Sequence, residues 1–272
     1  MSLAMTAPVR AARPRITTAV RMELTKLRRK RYWLMASGIG GLTTLWTAAV
    51  QTVQIGRAPQ HQLLRVLGLL DGIQMLTAFL PAILGILASR LVTVDSEERM
   101  GQLLSALGQR ETTRFVAKLA VLSVTAWLIQ LALLAASVVL PGPRATPAFW
   151  AVLPLLPVVA AATAVAVSAV QLALSSYLAK QSVAIAVAAV GGIVISIVSI
   201  SFRLPQVGWA LPWGLLGAAS PLDYSATQAS ISAGGDAVLV SSPWLVAAAA
   251  VAVAAACTAA SYALIVRKEN HR

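Results

Sequence analysis

Groups able to do chemistry are scarce in this chain. There is one cysteine, Cys257, so no intrachain disulfide can brace the fold. The two histidines, His61 and His271, stand alone, and neither H-E-x-x-H nor C-x-x-C occurs. No two carboxylates stand at helical spacing inside an apolar run. No catalytic residue and no metal site are therefore expected, and an intramembrane protease or other enzyme lacks its groups. The G-x-x-x-x-G-K-[ST] loop that cradles phosphates is also missing, so nucleotide is not bound here by that route. Charged residues make up only 11% of the chain, and just nine of them are acids.

What fills the sequence instead is Ala, Val and Leu. Hydrophobic residues reach 58% of 272, with a mean hydropathy of +0.78, which is too apolar for a water-soluble domain. The chain reads as an all-α membrane protein. Crossing roughly 30 Å of hydrocarbon takes about 20 apolar residues in a helix. Stretches at about Trp33 to Val53, Gly72 to Thr93, Leu119 to Leu140, Pro154 to Leu178, Ser182 to Phe202 and Trp244 to Val266 qualify, which predicts six transmembrane helices. Only Ala179, Lys180 and Gln181 separate the fourth from the fifth, so these two are expected to face each other as an antiparallel hairpin.

The formal charge of +13 would suggest nucleic acid as a partner in a soluble protein, but here it follows topology. With the N-terminus inside, 17 of the 22 basic residues fall on the inner side and four on the outer, Arg90 being the remaining one. That asymmetry places both termini in the cytoplasm. It implies a multi-pass protein of the cytoplasmic membrane, with lipids and not nucleic acid as its charged surroundings. The first apolar run is too long for a signal peptide and ends in no convincing cleavage site, so it is read as a retained span. Arginine outnumbers lysine 17 to 5, in keeping with a high-GC bacterial genome.

Ahead of the first span, Ile16, Val20, Leu24 and Leu27 fall on one helical face, with Arg21, Lys26, Arg28 and Arg29 elsewhere on the wheel. This predicts an amphipathic helix in the headgroup layer, the alternative being a frayed basic flank; Tyr32 and Trp33 stand where interfacial aromatics anchor a span. The segment 203–243 is apolar and Trp-rich but broken by Pro205, Pro212 and Pro221. It reads as short helices that dip into the outer leaflet or cap the bundle, or as an ordered loop.

Within the spans Arg90 is the one clear charge, close enough to an end to snorkel, and no carboxylate or histidine is read at membrane depth. Gln51, Gln74, Gln171, Ser175 and Ser196 either bond between helices or line a substrate path. Gly191 and Gly192 allow close helix approach, which marks the fifth span as a candidate dimer seam.

The densest charge lies between spans two and three. Asp95 and Glu98 have the spacing of a capping box, so a helix is expected to begin at Asp95, with Met100, Leu103, Leu104 and Leu107 on one apolar face and Gly108 ending it. Such a helix fits a groove on another protein or rests on the bilayer.

Taken together, a basic amphipathic helix before six spans, a charged inner loop and a Pro- and Trp-rich segment before the last span resemble the ABC type-2 permeases, membrane subunits of bacterial exporters, over nearly the whole chain. "EERMGQLLSALGQRETTRFVAKL" resembles that family's loop: Glu98, Gly101, Leu103, Leu104 and Lys118 match, while Gln102 and Gly108 replace the usual Thr and Pro. The look is most similar to the lantibiotic-immunity and drug-export permeases.

The resemblance implies a cytoplasmic N-terminus over 1–32, a permease domain over 33–266 and a tail over 267–272. Residues 95–114 would be a coupling helix docked on a separate ABC ATP-binding subunit through Asp95, Glu97, Glu98, Arg99, Leu103, Leu104, Leu107, Arg110 and Arg114. The N-terminal helix would be the elbow. Two such ATPases would carry the ATP and Mg, with no cofactor on this chain, and a second permease, identical or homologous, would complete the transporter. Its cargo would be an amphiphilic compound such as a peptide antibiotic, drug or lipid-like molecule. The alternative is a membrane component that senses such a compound and signals through an ATPase.

Overall fold

The computed structural model describes residues 16–57, 65–97, 110–139, 147–178, 180–201, 205–233 and 235–271. Among them the chain is helical, with one isolated antiparallel bridge between Leu222 and Leu239. The long helices are α1 (Ile16–Arg29), α2 (Tyr32–Arg57), α3 (Arg65–Glu97), α4 (Glu111–Val139), α6 (Leu156–Tyr177), α7 (Gln181–Ser201) and α11 (Pro243–Asn270). Short ones fill the gaps: α5 (Pro147–Val152), α8 (Pro205–Ala210), a 3-10 turn (Pro212–Gly214), α9 (Leu215–Ala218) and α10 (Tyr224–Ser232).

Five of these, α3, α4, α6, α7 and α11, are both long and apolar enough to cross a membrane. The protein is an all-α, multi-pass membrane protein. Helix α2 has 26 residues, about 39 Å at 1.5 Å each. Gly38, Gly40, Gly41, Thr43, Thr44 and Thr47 dilute its apolar character, which leaves it outside the five. Leu34, Leu42, Leu45 and Trp46 nevertheless stand exposed along it, as side chains that face lipid do.

Helix α3 extends beyond the expected span at both ends. Charged residues at Arg65, Asp71 and Asp95 look like boundaries in sequence, but the helical backbone runs through the latter two. Asp95 therefore starts no helix, and the predicted capping box at Asp95 and Glu98 is corrected. Pro81 also sits inside α3 without ending it.

The centre of the bundle is α3, α4 and α6. The apolar stretch of α6 is 72% buried, against 28% for α7 and 22% for α11. Two apolar cores stack along the bundle axis. One, with Leu27, Tyr32, Leu84, Leu87, Leu91, Phe115 and Leu122, lies at the α1 end; the other, with Leu69, Ile73, Leu76, Leu133, Phe149 and Leu215, lies at the far end. Thr77, Gln130 and Thr163 are buried at the level where the cores meet.

Helices α6 and α7 follow each other closely in the chain but scarcely touch, which corrects the expectation that they face each other: α7 packs chiefly along α3. Small residues decide this. A Cβ on Gly192 would lie 2.7 Å from the Ala78 carbonyl oxygen and 2.8 Å from Pro81, and one on Gly85 would lie 2.9 Å from the Ala188 methyl. At Gly191 the added carbon would meet the Trp213 ring at 2.5 Å. Both glycines of the expected dimer seam thus serve contacts within the chain.

Helix α1 is amphipathic, and the face it turns to the bundle differs from the apolar face read in the sequence. Ala19, Glu23 and Leu27 are buried against the bundle, whereas Ile16 and Leu24 are exposed, with Val20 between. Arg31, at φ 55, makes the sharp turn into α2. Behind it Tyr32 is buried in the core, and Trp33 alone of the expected aromatic pair is exposed.

At the far end, the segment from Pro205 folds into short helices over the bundle. Asp223 caps α10 by accepting from the Ala226 N–H at 2.9 Å. Asp223 N–H to Val238 O (3.0 Å) and Val240 N–H to Pro221 O (3.1 Å) fix the return strand-like stretch.

Candidate functional site

A carboxylate in the last turn of a helix opposes the negative end of the helix dipole, so Asp95 needs cations. It has two. Lys118 of α4 donates to Asp95 Oδ2 at 2.7 Å and to the Leu91 carbonyl at 2.8 Å, and Lys26 of α1 reaches Asp95 Oδ1 at 2.9 Å. Lys26 also pairs with Glu23, one turn back, at 2.7 Å. All four side chains are largely buried, Asp95 being 12% and Lys118 9% exposed.

Burial alone would lower the Lys26 pKa, but Glu23 and Asp95 outweigh it, and the net direction is upward from the ordinary lysine value. Lys26 is therefore charged throughout the physiological range. Its raised value makes its contribution to stability fully present below the ordinary lysine pKa and lost only as the pH climbs past the raised one.

The arrangement clamps three elements at one point. Helix α3 leads into residues 98–109 and α4 leads out, so the clamp holds both roots of that segment and ties them to α1. Glu98, Arg99, Leu103, Leu104 and Leu107 lie outside the described residues, and Glu97 is the last residue of α3. Arg110 is exposed. Arg114, expected on a docking surface, is instead buried and lines a cavity of about 370 Å³ with Asp95, Lys118, Ser175, Gln181 and Lys268.

The end of α11 closes this side. Lys268 donates to the Ser176 carbonyl and lies 5.3 Å from the centre of the Tyr177 ring, while the Tyr177 hydroxyl donates to the Leu264 carbonyl at 2.6 Å. Glu269 accepts from the Thr112 N–H at 3.3 Å, so the tail also touches the start of α4.

The five polar residues read as helix–helix bonds or a substrate path fall in different surroundings. Gln51 donates to the Gly68 carbonyl at 2.8 Å and to Ser137 Oγ at 3.1 Å, which ties α2, α3 and α4 together. Gln171 and Ser196 are buried, Ser175 lines the 370 Å³ cavity, and Gln74 lines a different one at the far end. Among the described residues neither amide atom of Gln171 has a hydrogen-bond partner.

That second cavity, about 760 Å³, lies between α3 and the capping segment, with Gln74, Thr77, Trp209, Gly217, Asp223 and Tyr224 among its walls. Sequence reading missed Asp71, one turn before Gln74. It falls inside the membrane-crossing stretch Gly68–Asp95, which corrects the expectation that no carboxylate lies there. The Leu67, Leu69 and Leu70 that flank it carried the signal. Burial first, then the charge of Asp71, pushes the Tyr224 phenol above its ordinary range.

Five helices long and apolar enough to cross a membrane, with a charged clamp at the root of an inter-span segment, define a multi-pass helical bundle. The family model described as "ABC-2 family transporter protein" matches residues 19–199. The chain belongs to that family, and it is an ABC transporter permease whose family works with an ABC ATP-binding partner. No curated protein and no solved structure gives a significant match.

Proposed function

We propose that this permease is the membrane subunit of an ATP-driven exporter that moves an amphiphilic compound out of the cytoplasm or the inner leaflet. Two ATPase subunits, carrying ATP and Mg, dock within residues 95–114, on the stretch between the largely buried Asp95 and the buried Arg114, and a second permease, the same chain or a homologue, completes the pathway. The membrane is the bacterial cytoplasmic one. With α2 as the first of six spans both termini share one side, and the excess of basic residues there supports the cytoplasmic one.

The observation that carries this reading is the clamp of Lys26, Asp95 and Lys118. A push on residues 98–109 from an ATPase would enter α3 and α4 at once and pull α1 with them, because buried ion pairs resist separation. Movement of three elements as a unit is what coupling of hydrolysis to a tilt of the spans requires.

The test is efflux from vesicles that hold the permease and its ATPase partner. ATP should drive loss of an amphiphilic dye, and a non-hydrolysable analogue should not. Hydrolysis that responds to the compound without any efflux would replace export by sensing. For topology, a cysteine at Gln109 or Glu269 should be labelled from the α1 side only, and one at Gln60 from the other side.

A further inference from the structure

The far-end cavity differs from the rest of the chain in the sign of its charge. Basic residues outnumber acids 22 to nine overall, yet among the described residues no basic side chain lines this cavity. Its charged wall residue is Asp223, which uses Oδ1 for the Ala226 N–H and the Ser225 hydroxyl, leaving Oδ2 without a hydrogen bond among the described residues. Asp71 is not itself a wall residue but lies one turn before Gln74, on the same face of α3. No ion pair joins Asp71 to a cation among the described residues.

The remaining walls suit an apolar body. Trp209 and Tyr224 offer two aromatic faces, Leu222, Val240 and Val246 add aliphatic surface, and Gln74 and Gln228 supply amides. The volume of about 760 Å³ suits a drug-sized molecule. Aromatic faces attract cations most strongly where water is excluded.

We propose that this cavity binds an amphiphilic organic cation, its charge held by Asp71 and Asp223 and its body laid against Trp209 and Tyr224. The site rests on the export reading in being the place where the cargo is held, and it narrows that cargo to compounds with a positive charge.

The probes are tetraphenylphosphonium and tetraphenylborate, which share size and shape and differ in sign. Binding of each to the purified full-length permease is measured by equilibrium dialysis, with micelles alone as the blank. The cation should bind saturably and at least about tenfold tighter than the anion. Asp71→Asn and Asp223→Asn should each weaken the cation about tenfold, Asn at 223 keeping the cap of α10. Ala229→Trp, at an exposed position on the cavity wall, should abolish binding by filling the space.

Equal binding of the two ions, or cation binding that survives Asp223→Asn and Ala229→Trp in folded protein, overturns the proposal. Should Asp71→Asn fail to fold, those two variants decide. The assay needs no ATPase, so its failure leaves the coupling reading intact, and loss of ATPase docking leaves this binding unchanged.

Discussion

The two ends of the bundle treat a partly buried aspartate in opposite ways. At the α1 end Asp95 is held by two lysines from two other helices, so that its charge is spent on joining α1, α3 and α4. At the far end Asp71, in the same helix, has no such partner among the described residues and lies close to a cavity of about 760 Å³. Satisfied charge makes a rigid joint, and unsatisfied charge leaves a place for something else to bind. A transporter needs one of each: a joint to receive force and a cavity to receive cargo.

The comparison is broken most severely at Asp95. Replacing it by Asn leaves two largely buried ammonium groups without their carboxylate, and Asp95→Asn should destabilise the fold by about 3–5 kcal/mol, read as lost thermal stability in detergent. Unchanged melting would mean that the clamp holds nothing together.

Next in size is the α3 and α7 contact that joins the two ends. Gly192→Leu must displace Ala78 or Pro81 and should cost about 1–3 kcal/mol by overpacking. Crosslinking between permease copies should fall only as far as folded protein does, since this face is filled within the chain.

At Asp71 the same Asp to Asn change carries the opposite sign. Removing a partly buried carboxylate that lacks an ion-pair partner among the described residues should raise stability by up to about 1 kcal/mol, and a loss as large as that at Asp95 would erase the distinction between the ends. The smallest effect is expected at the α1 turn, where Arg31→Gly relieves a left-handed backbone and should gain up to about 1 kcal/mol in chemical unfolding.

Much of this fold is legible in the sequence because apolar runs report burial in lipid directly. The span expected at Ser182 to Phe202 is the helix Gln181–Ser201, and that expected at Trp244 to Val266 lies within Pro243–Asn270. Charge is a poor guide to where these helices end. Asp71 and Asp95 both lie inside α3, one a turn away from the cavity residue Gln74 and the other matched by lysines, and neither circumstance is local in sequence.

The side of α1 that packs on the bundle is hidden in the sequence for a related reason. Counting only large apolar side chains selects Ile16, Val20, Leu24 and Leu27, whereas the buried stripe is Ala19, Glu23 and Leu27, with Glu23 admissible because Lys26 accompanies it. Lys26 and Asp95 are 69 residues apart, so no spacing rule joins them. The far-end cavity is equally hidden, being built from α3 together with residues 209–246. For Gly191 and Gly192 the sequence correctly signalled close approach but held no information on whether the partner was the same chain or another.

Whether force enters through the segment rooted in the clamp is tested by co-purification of the permease with its ATP-binding partner in detergent. Leu104→Asp puts a charge into the proposed apolar contact, with Arg110→Ala, an exposed charge, as the comparison and membrane insertion checked for both. Loss of most of the ATPase with Leu104→Asp, and little loss with Arg110→Ala, is the expected result. Full recovery of the ATPase with Leu104→Asp would contradict docking on residues 95–114.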